Sequence, residues 1–262
     1  IGAHIGKKTD IPARDASKIL DAVTFLKDVE MGKTPSIGRR VAIYGGGNTA
    51  MDAARTAKRL GAEEALIVYR RDREHMPAHD FESDEALSEG IKIHWLTTIR
   101  DLDASTMTVE RMEIKDGKPV PTGTFETLEA DSVILALGQA TETGFLEGVD
   151  GIKFDSDGTV VVDEHMMTGH AGIFAGGDMV PSERTVTIAT GHGKKAARNI
   201  DAWLAARTYQ KTPNNPLVPV EQLQVWYRTV ADATEQPHID PATAVTDFDE
   251  IVAGLSEEEA RY

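Results

Sequence analysis

The sequence predicts an α/β fold, in which a Rossmann-like open parallel sheet carries an antiparallel meander. Three observations point to it. Residues 41–69 read as strand, glycine turn, helix and strand, the unit from which parallel sheets are built. Apolar and polar side chains alternate from about Ile99 to Ala130 around the dipeptide Asp116-Gly117, as in antiparallel hairpins. A buried-looking strand over 132–137 follows and stops at Gly138, where the first domain is expected to end.

In chain order, Ile19, Ala22, Val23, Leu26 and Val29 recur at helical offsets and predict a helix over 15–31, capped by Asp15 and ended near Gly32. Next come a strand at 41–44, a helix at 48–60 and a strand at 65–69, then a helix at 81–88 and a strand at 91–96. The meander is read as 99–103, 106–115 and 124–130. From Gln139 onward the pattern changes to loops, with short strands expected at 160–162 and 173–175 and an Ala-rich helix at 186–206. On that helix Ile188, Ala189, Ala196, Ala197 and Ile200 are expected to pack into a core. From Pro213 prolines interrupt the chain, and residues 214–262 hold 10 acidic and 2 basic side chains. Trp226, Tyr227, Phe248 and Leu255 are expected to anchor this acidic tail as an extended strap.

Composition narrows the function. The 262 residues carry a formal charge of −15, which opposes nucleic acid and anionic lipid as partners. No apolar run approaches the roughly 20 residues that span a bilayer, and a cytoplasmic protein is expected. With 0 cysteines the chain holds no disulfide, thiol redox pair, iron–sulfur cluster or thiolate zinc site of its own. His165 with His170, and His75 with His79, lack the companions of a metal site. Ser182 and His192 lack the spacing of a nucleophile and its base, so no side chain is assigned a catalytic role.

The strongest local signal is Gly45-Gly46-Gly47-Asn48-Thr49-Ala50, which fits G-x-G-x-x-G/A between a strand and a helix. In that setting Gly45 allows the tight turn, Gly47 lets a pyrophosphate approach the backbone, and Ala50 lets the helix lie close to the sheet. Amides of the first helical turn then face the anion. The next strand ends in Arg70 and Arg71, where an acidic residue would mark a preference for an unphosphorylated ribose. Guanidinium forks suit a 2′-phosphate, which points to NADP(H); the competing account pairs both arginines with Asp72 or Glu74. A second signal is the apolar stretch Gly172-Ile173-Phe174-Ala175 running into Gly176-Gly177-Asp178, with a helix starting at Thr185-Val186.

Taken in order, GGGNTAMD, YRRD, Met76-Pro77, the strand ending ALGQ at Gln139, Thr168, GIFAGGD and Gly191 resemble the glutamate synthase small-chain-like flavoproteins. The resemblance spans nearly the whole chain. It implies a two-dinucleotide-binding fold, with an NAD(P)-binding domain inserted between the halves of an FAD-binding domain. On this resemblance residues 1–14 end the first FAD half, 15–139 form the NAD(P)-binding domain, 140–212 form the C-terminal part of the FAD-binding domain, and 213–262 are the tail. It implies NADP(H) on Gly45, Gly46, Gly47, Asn48, Thr49, Ala50, Arg70 and Arg71. It implies FAD on Gly177 and Asp178, with Thr185 and Val186 near the flavin, and it counts Gly138 and Gln139 among the cofactor-binding residues.

Two departures qualify it. No second strand-linked glycine fingerprint precedes Gly45, and the cysteines of iron–sulfur relatives are absent. The chain, which begins at Ile1, therefore reads as part of a longer electron-transfer protein, or as a subunit completed by another chain and an iron–sulfur partner. The missing cysteines also set it apart from the related disulfide reductases. The rival readings are a module that binds NADP(H) without turnover and a structural subunit held by its tail.

Overall fold

The computed structural model describes residues 2–261 except 4, 8, 10, 13–17, 214 and 224–233. Two compact units emerge, Ala3–Glu142 with Ile239–Ile251, and Thr143–His238 with Val252–Tyr262. The first contains, in order, β1 (Ile5–Gly6), β2 (Lys18–Asp21), α1 (Ala22–Glu30), β3 (Arg40–Tyr44), α2 (Asn48–Arg59), β4 (Glu64–Val68), α3 (Asp80–Ser88) and β5 (Lys92–His94). It continues with β6 (Thr97–Leu102), β7 (Thr106–Lys115), β8 (Lys118–Glu129), β9 (Ser132–Leu135) and β10 (Gln139–Ala140).

Five strands form one sheet in the order β2-β9-β3-β4-β5, and every neighbouring pair is parallel. The period of two sorts its residues between the faces. Val41, Ile43, Ile67 and Ile134 join Phe25 of α1 and the α2 alanines Ala50, Ala53, Ala54 and Ala57 in one cluster. Ala42, Leu66, Val68, Val133 and Leu135 point the other way, onto Ile99, Leu102, Met107 and Val109 of the meander. Helices thus cover one face, and the antiparallel sheet β6-β7-β8 covers the other. The β7–β8 turn passes through Asp116 and Gly117, both at positive φ, the geometry of a two-residue hairpin. Asp131 accepts the backbone N–H groups of Arg39 and Arg40, both at 2.8 Å, and fixes where β3 begins.

Several expectations are corrected. The helix expected over 15–31 is a short strand, β2, running into a shorter helix, α1, whose cap is Asp21 accepting from the Thr24 amide at 2.9 Å. Asp15 lies outside the described residues. The third meander strand starts earlier, at Lys118, and β9 stops at Leu135. A further two-stranded ribbon, β1 antiparallel to β10, pairs Ile5 with Ala140 and Gly6 with Gln139.

In the second unit the strands expected at 160–162 and 173–175 are only isolated bridges, Phe154 to Val160, Val162 to Thr168 and Met167 to Phe174. The long helix α4 (Val186–Leu204) has Asn199 and Ala202 as its buried residues. Its expected core stripe is not buried: Ile188, Ala189, Ala196 and Ile200 are half-exposed and Ala197 is exposed. The tail forms two single turns, α5 (Pro241–Ala244) and α6 (Glu257–Ala260). Its buried apolar residue is Ala244, whereas the expected anchors Phe248 and Leu255 are 57% and 38% exposed. Trp226 and Tyr227 lie outside the described residues. Among the described residues no helix is long and apolar enough to cross a membrane.

Candidate nucleotide-binding site

At the end of β3 three glycines turn the chain into α2, and each meets a different constraint. Gly45 has φ +155°, and a Cβ there would lie 2.2 Å from the Ala136 carbonyl oxygen, so only glycine brings β3 so close to the end of β9. At Gly46 a Cβ would lie 2.4 Å from the ring of Tyr69. Gly47 faces outward, with Pro77 the nearest atom to a Cβ at 4.0 Å. It caps α2 with extended backbone and no side-chain hydrogen bond; the Ala50 amide donates to its carbonyl at 2.8 Å, and the Asn48 and Thr49 amides are left for an incoming anion. Ala50, fully buried, lets α2 lie close on the sheet.

Beyond β4 the chain is stitched back to this turn. The Tyr69 hydroxyl donates to the His75 carbonyl at 2.6 Å, and its ring meets Trp95 edge-on at 6.2 Å. Burial pushes the Tyr69 phenol up, against the nearby charges of Arg71 and Arg70. The Ala78 amide donates to the Gly46 carbonyl at 3.1 Å, and the His79 amide to the Asn48 side-chain oxygen at 3.1 Å. Asn48 thus secures the 77–79 turn.

Neither Arg70 nor Arg71 forms an ion pair among the described residues. Asp72 is taken by His75, whose Nδ1 lies 2.6 Å from it, and Arg73 by Asp84 at 2.6 Å. The Nε of Arg71 is buried without a hydrogen-bond partner, and such a donor is rarely left unmet.

A cavity of about 550 Å³ gathers Gly45, Gly46, Gly47, Thr49, Arg70, Arg71 and Gly138. Tyr69 and Pro77, from the YRRD and Met76-Pro77 segments, also line it, as do Lys7, Thr9, Tyr44 and His75, which carry no sequence motif of their own. Gly138, at φ +91°, offers its carbonyl to the Lys7 amide at 2.9 Å. Gln139 sits in β10 and does not line the cavity.

The remaining candidates lie in the second unit. Gly177, at φ +64°, opens a single 3₁₀ turn, Gly177–Met179, that packs on α4, and its amide donates to His192 Nδ1 at 3.2 Å. Asp178 is half-exposed, and its carboxylate accepts no hydrogen bond among the described residues. Thr185 caps α4 by accepting the Ile188 amide at 3.2 Å, and Val186 is 84% exposed.

A parallel sheet between helices and a meander, with a glycine turn at the carboxyl end of its strands, defines a Rossmann-like dinucleotide-binding class of protein. The sequence profile described as pyridine nucleotide-disulphide oxidoreductase matches residues 2–193, and the chain belongs to that family, whose members are redox enzymes. Over 232 residues it is 37% identical to the NADP(+)-dependent formate dehydrogenase subunit beta of Moorella thermoacetica, covering 82% of this chain and 32% of that protein. It is 31% identical over 232 residues to the glutamate synthase [NADPH] small chain of Escherichia coli K12, covering 78% of this chain and 49% of that one. The chain therefore spans less than half the length of these curated relatives. Thioredoxin reductase of Lactococcus lactis shares the fold, with a TM-score of 0.62 at 22% identity over 78% of this chain and 64% of that one.

Proposed function

We propose that the cavity binds NADP(H) and that the chain is the nicotinamide-binding component of an NADPH-dependent flavin oxidoreductase. The observation that carries this reading is the buried, unpartnered Nε of Arg71 on the wall of a cavity that begins at the glycine turn. The donor set fits the group: outward-facing Gly47 and the Asn48 and Thr49 amides suit a pyrophosphate, and Arg70 and Arg71 suit a 2′-phosphate. A cavity of about 550 Å³ is of ligand size.

The second-unit residues suit part of a flavin site. Asp178 offers an open acceptor to hydroxyl groups, and Thr185 and Val186 present the exposed first turn of α4. No second glycine fingerprint lies within the 262 residues, so FAD is completed by a further segment, in the same polypeptide or a partner chain. When bound, NADPH and FAD supply the hydride and electron chemistry. This chain's residues hold and orient the nucleotide, and no acid or base is required of them. With 0 cysteines the chain offers no thiol pair as acceptor, and electrons pass to a partner of the iron–sulfur kind. Relatives named as subunits of formate dehydrogenase and of NADPH-Fe(3+) oxidoreductase support a partner chain.

Titration with NADPH, followed by nicotinamide fluorescence, tests the reading. A saturable change at one equivalent supports it, and a flat titration contradicts it.

A further inference from the structure

We propose that Asn48 is a positioning residue of the nucleotide cavity, which holds the ring of Pro77 as a wall against Gly47 and so sets the affinity for the pyrophosphate, the part that NADPH and NADH share. The proposal deepens, and rests on, the reading of the cavity as the NADP(H) site. Its basis is a division of labour at the first residue of α2: the Asn48 amide is left for an anion, while its side chain is engaged by the neighbouring turn.

The His79 amide donates to Asn48 Oδ1 at 3.1 Å, and since a backbone N–H only donates, the atom that meets it is the carboxamide oxygen. Two residues earlier, Pro77 lines the cavity, with its Cγ 4.0 Å from where a Gly47 Cβ would sit; Asn48 does not line it. His79 is also the residue from which α3 starts, so one bond ties the first residue of α2 to the start of α3. The rest of the turn has its own ties, from the Ala78 amide to the Gly46 carbonyl at 3.1 Å and from the Tyr69 hydroxyl to the His75 carbonyl at 2.6 Å. Pro77 lies between these anchors, is itself exposed, and has no N–H of its own to bond. Its place against Gly47 is therefore set by its neighbours, and Asn48 supplies the tie made by a side chain of α2.

An apolar ring at this place has two effects. It displaces water from beside the glycine turn, where a hydrogen bond from an amide to a phosphate is stronger for the lower local dielectric. It also brings no donor or acceptor, so the anion is left to the Asn48 and Thr49 amides. Both effects act on the pyrophosphate, and neither reaches the ribose phosphate that distinguishes the two cofactors. Loss of the Asn48 side chain should thus weaken both cofactors by one factor, and only while Pro77 is there to be misplaced.

The test is a double-mutant cycle on the full chain, with NADPH and NADH affinities measured by fluorescence titration for wild type, Asn48→Ala, Pro77→Ala and the double variant. Asn48→Ala should lower both affinities by the same factor, roughly five- to tenfold, and leave their ratio unchanged. Pro77→Ala, which removes no hydrogen bond of the turn, should lower them similarly, and the double variant should bind no more weakly than the weaker single one. Hydrogen exchange at the His79 amide reads the tie itself: Asn48→Asp keeps the acceptor and should keep the amide as protected as in wild type, whereas Asn48→Ala should expose it. Equal exchange in those two variants would overturn the proposal. Factors that multiply in the double variant would overturn it as well, because Asn48 would then act on the nucleotide independently of Pro77. So would an Asn48→Ala variant that binds both cofactors as wild type does, or one that loses NADPH alone. Each of these results leaves the site standing, whereas failure of the wild type to bind NADPH would overturn the site reading and the proposal with it.

Discussion

The ring of Tyr69 occupies the space that a side chain at Gly46 would need, 2.4 Å from where its Cβ would sit. One aromatic residue at the end of β4 thereby makes glycine obligatory in the turn after β3. The Tyr69 hydroxyl, donating to the His75 carbonyl, extends that constraint to the segment bearing the cavity's histidine. The glycine turn and the wall opposite it form one assembly.

Gly46 and Gly47 should therefore fail differently. Gly46→Val forces the Tyr69 ring aside and should lower the melting temperature, at a cost of roughly 1–3 kcal/mol for overpacking. Gly47→Val has open space and should melt within a degree or two of wild type, yet lose NADPH because the pyrophosphate can no longer reach the backbone. Thermal melts with and without NADPH check both, and a Gly47→Val variant still stabilised by NADPH would count against the placement.

On the far side of α2 a buried ion network joins that helix to the end of α3. Glu89, 3% exposed, accepts from Arg55 at 2.6 Å and from Arg59 at 3.1 Å. Burial alone would push the Glu89 carboxyl up, but the bonds from Arg55 and Arg59 outweigh it and hold the carboxyl below its usual range. A depressed folded value contributes stability above the unfolded carboxylate range, lost as pH falls through the folded value. Glu89→Gln should cost roughly 3–5 kcal/mol near neutrality, because two guanidinium groups lose their buried partner. Denaturant unfolding at falling pH should show that deficit shrink below about pH 4; a deficit independent of pH would locate the loss in packing.

Flavin gives a separate test. The 262 residues alone should bind FAD weakly or not at all, and the addition of the completing segment should restore yellow colour. Asp178→Ala should then weaken the retained flavin about tenfold, through loss of a charged hydrogen-bond acceptor. Flavin absorbance after gel filtration reads this out, and tight FAD on the chain alone would refute the incomplete flavin site.

Legibility in the sequence followed the locality of the physics. The strand, glycine turn and helix at 41–59 carry their meaning in adjacent residues, and so do Arg70 and Arg71. β2 was hidden because a four-residue strand running straight into a helix keeps an apolar spacing that periodicity alone cannot divide. His75 reads in sequence as half of an incomplete metal pair, because its place depends on the turn that Asp72 and Tyr69 impose. Lys7 and Thr9 reach the cavity from a distant part of the chain, which no local motif records. The apolar stripe of α4 has the period of a core helix, yet periodicity says nothing of whether a covering surface lies within the same 262 residues.

The central claim is that Arg70 and Arg71 choose the phosphorylated cofactor. Calorimetric titration of NADPH and NADH into wild type and the Arg70→Ala/Arg71→Ala double variant tests it most directly. NADPH affinity should fall about ten- to a hundredfold, as expected for loss of charge-assisted contacts of roughly 1.5–3 kcal/mol, while NADH affinity barely changes. A variant that loses both cofactors equally, or neither, would contradict the account and return the two arginines to the role of solvent charges.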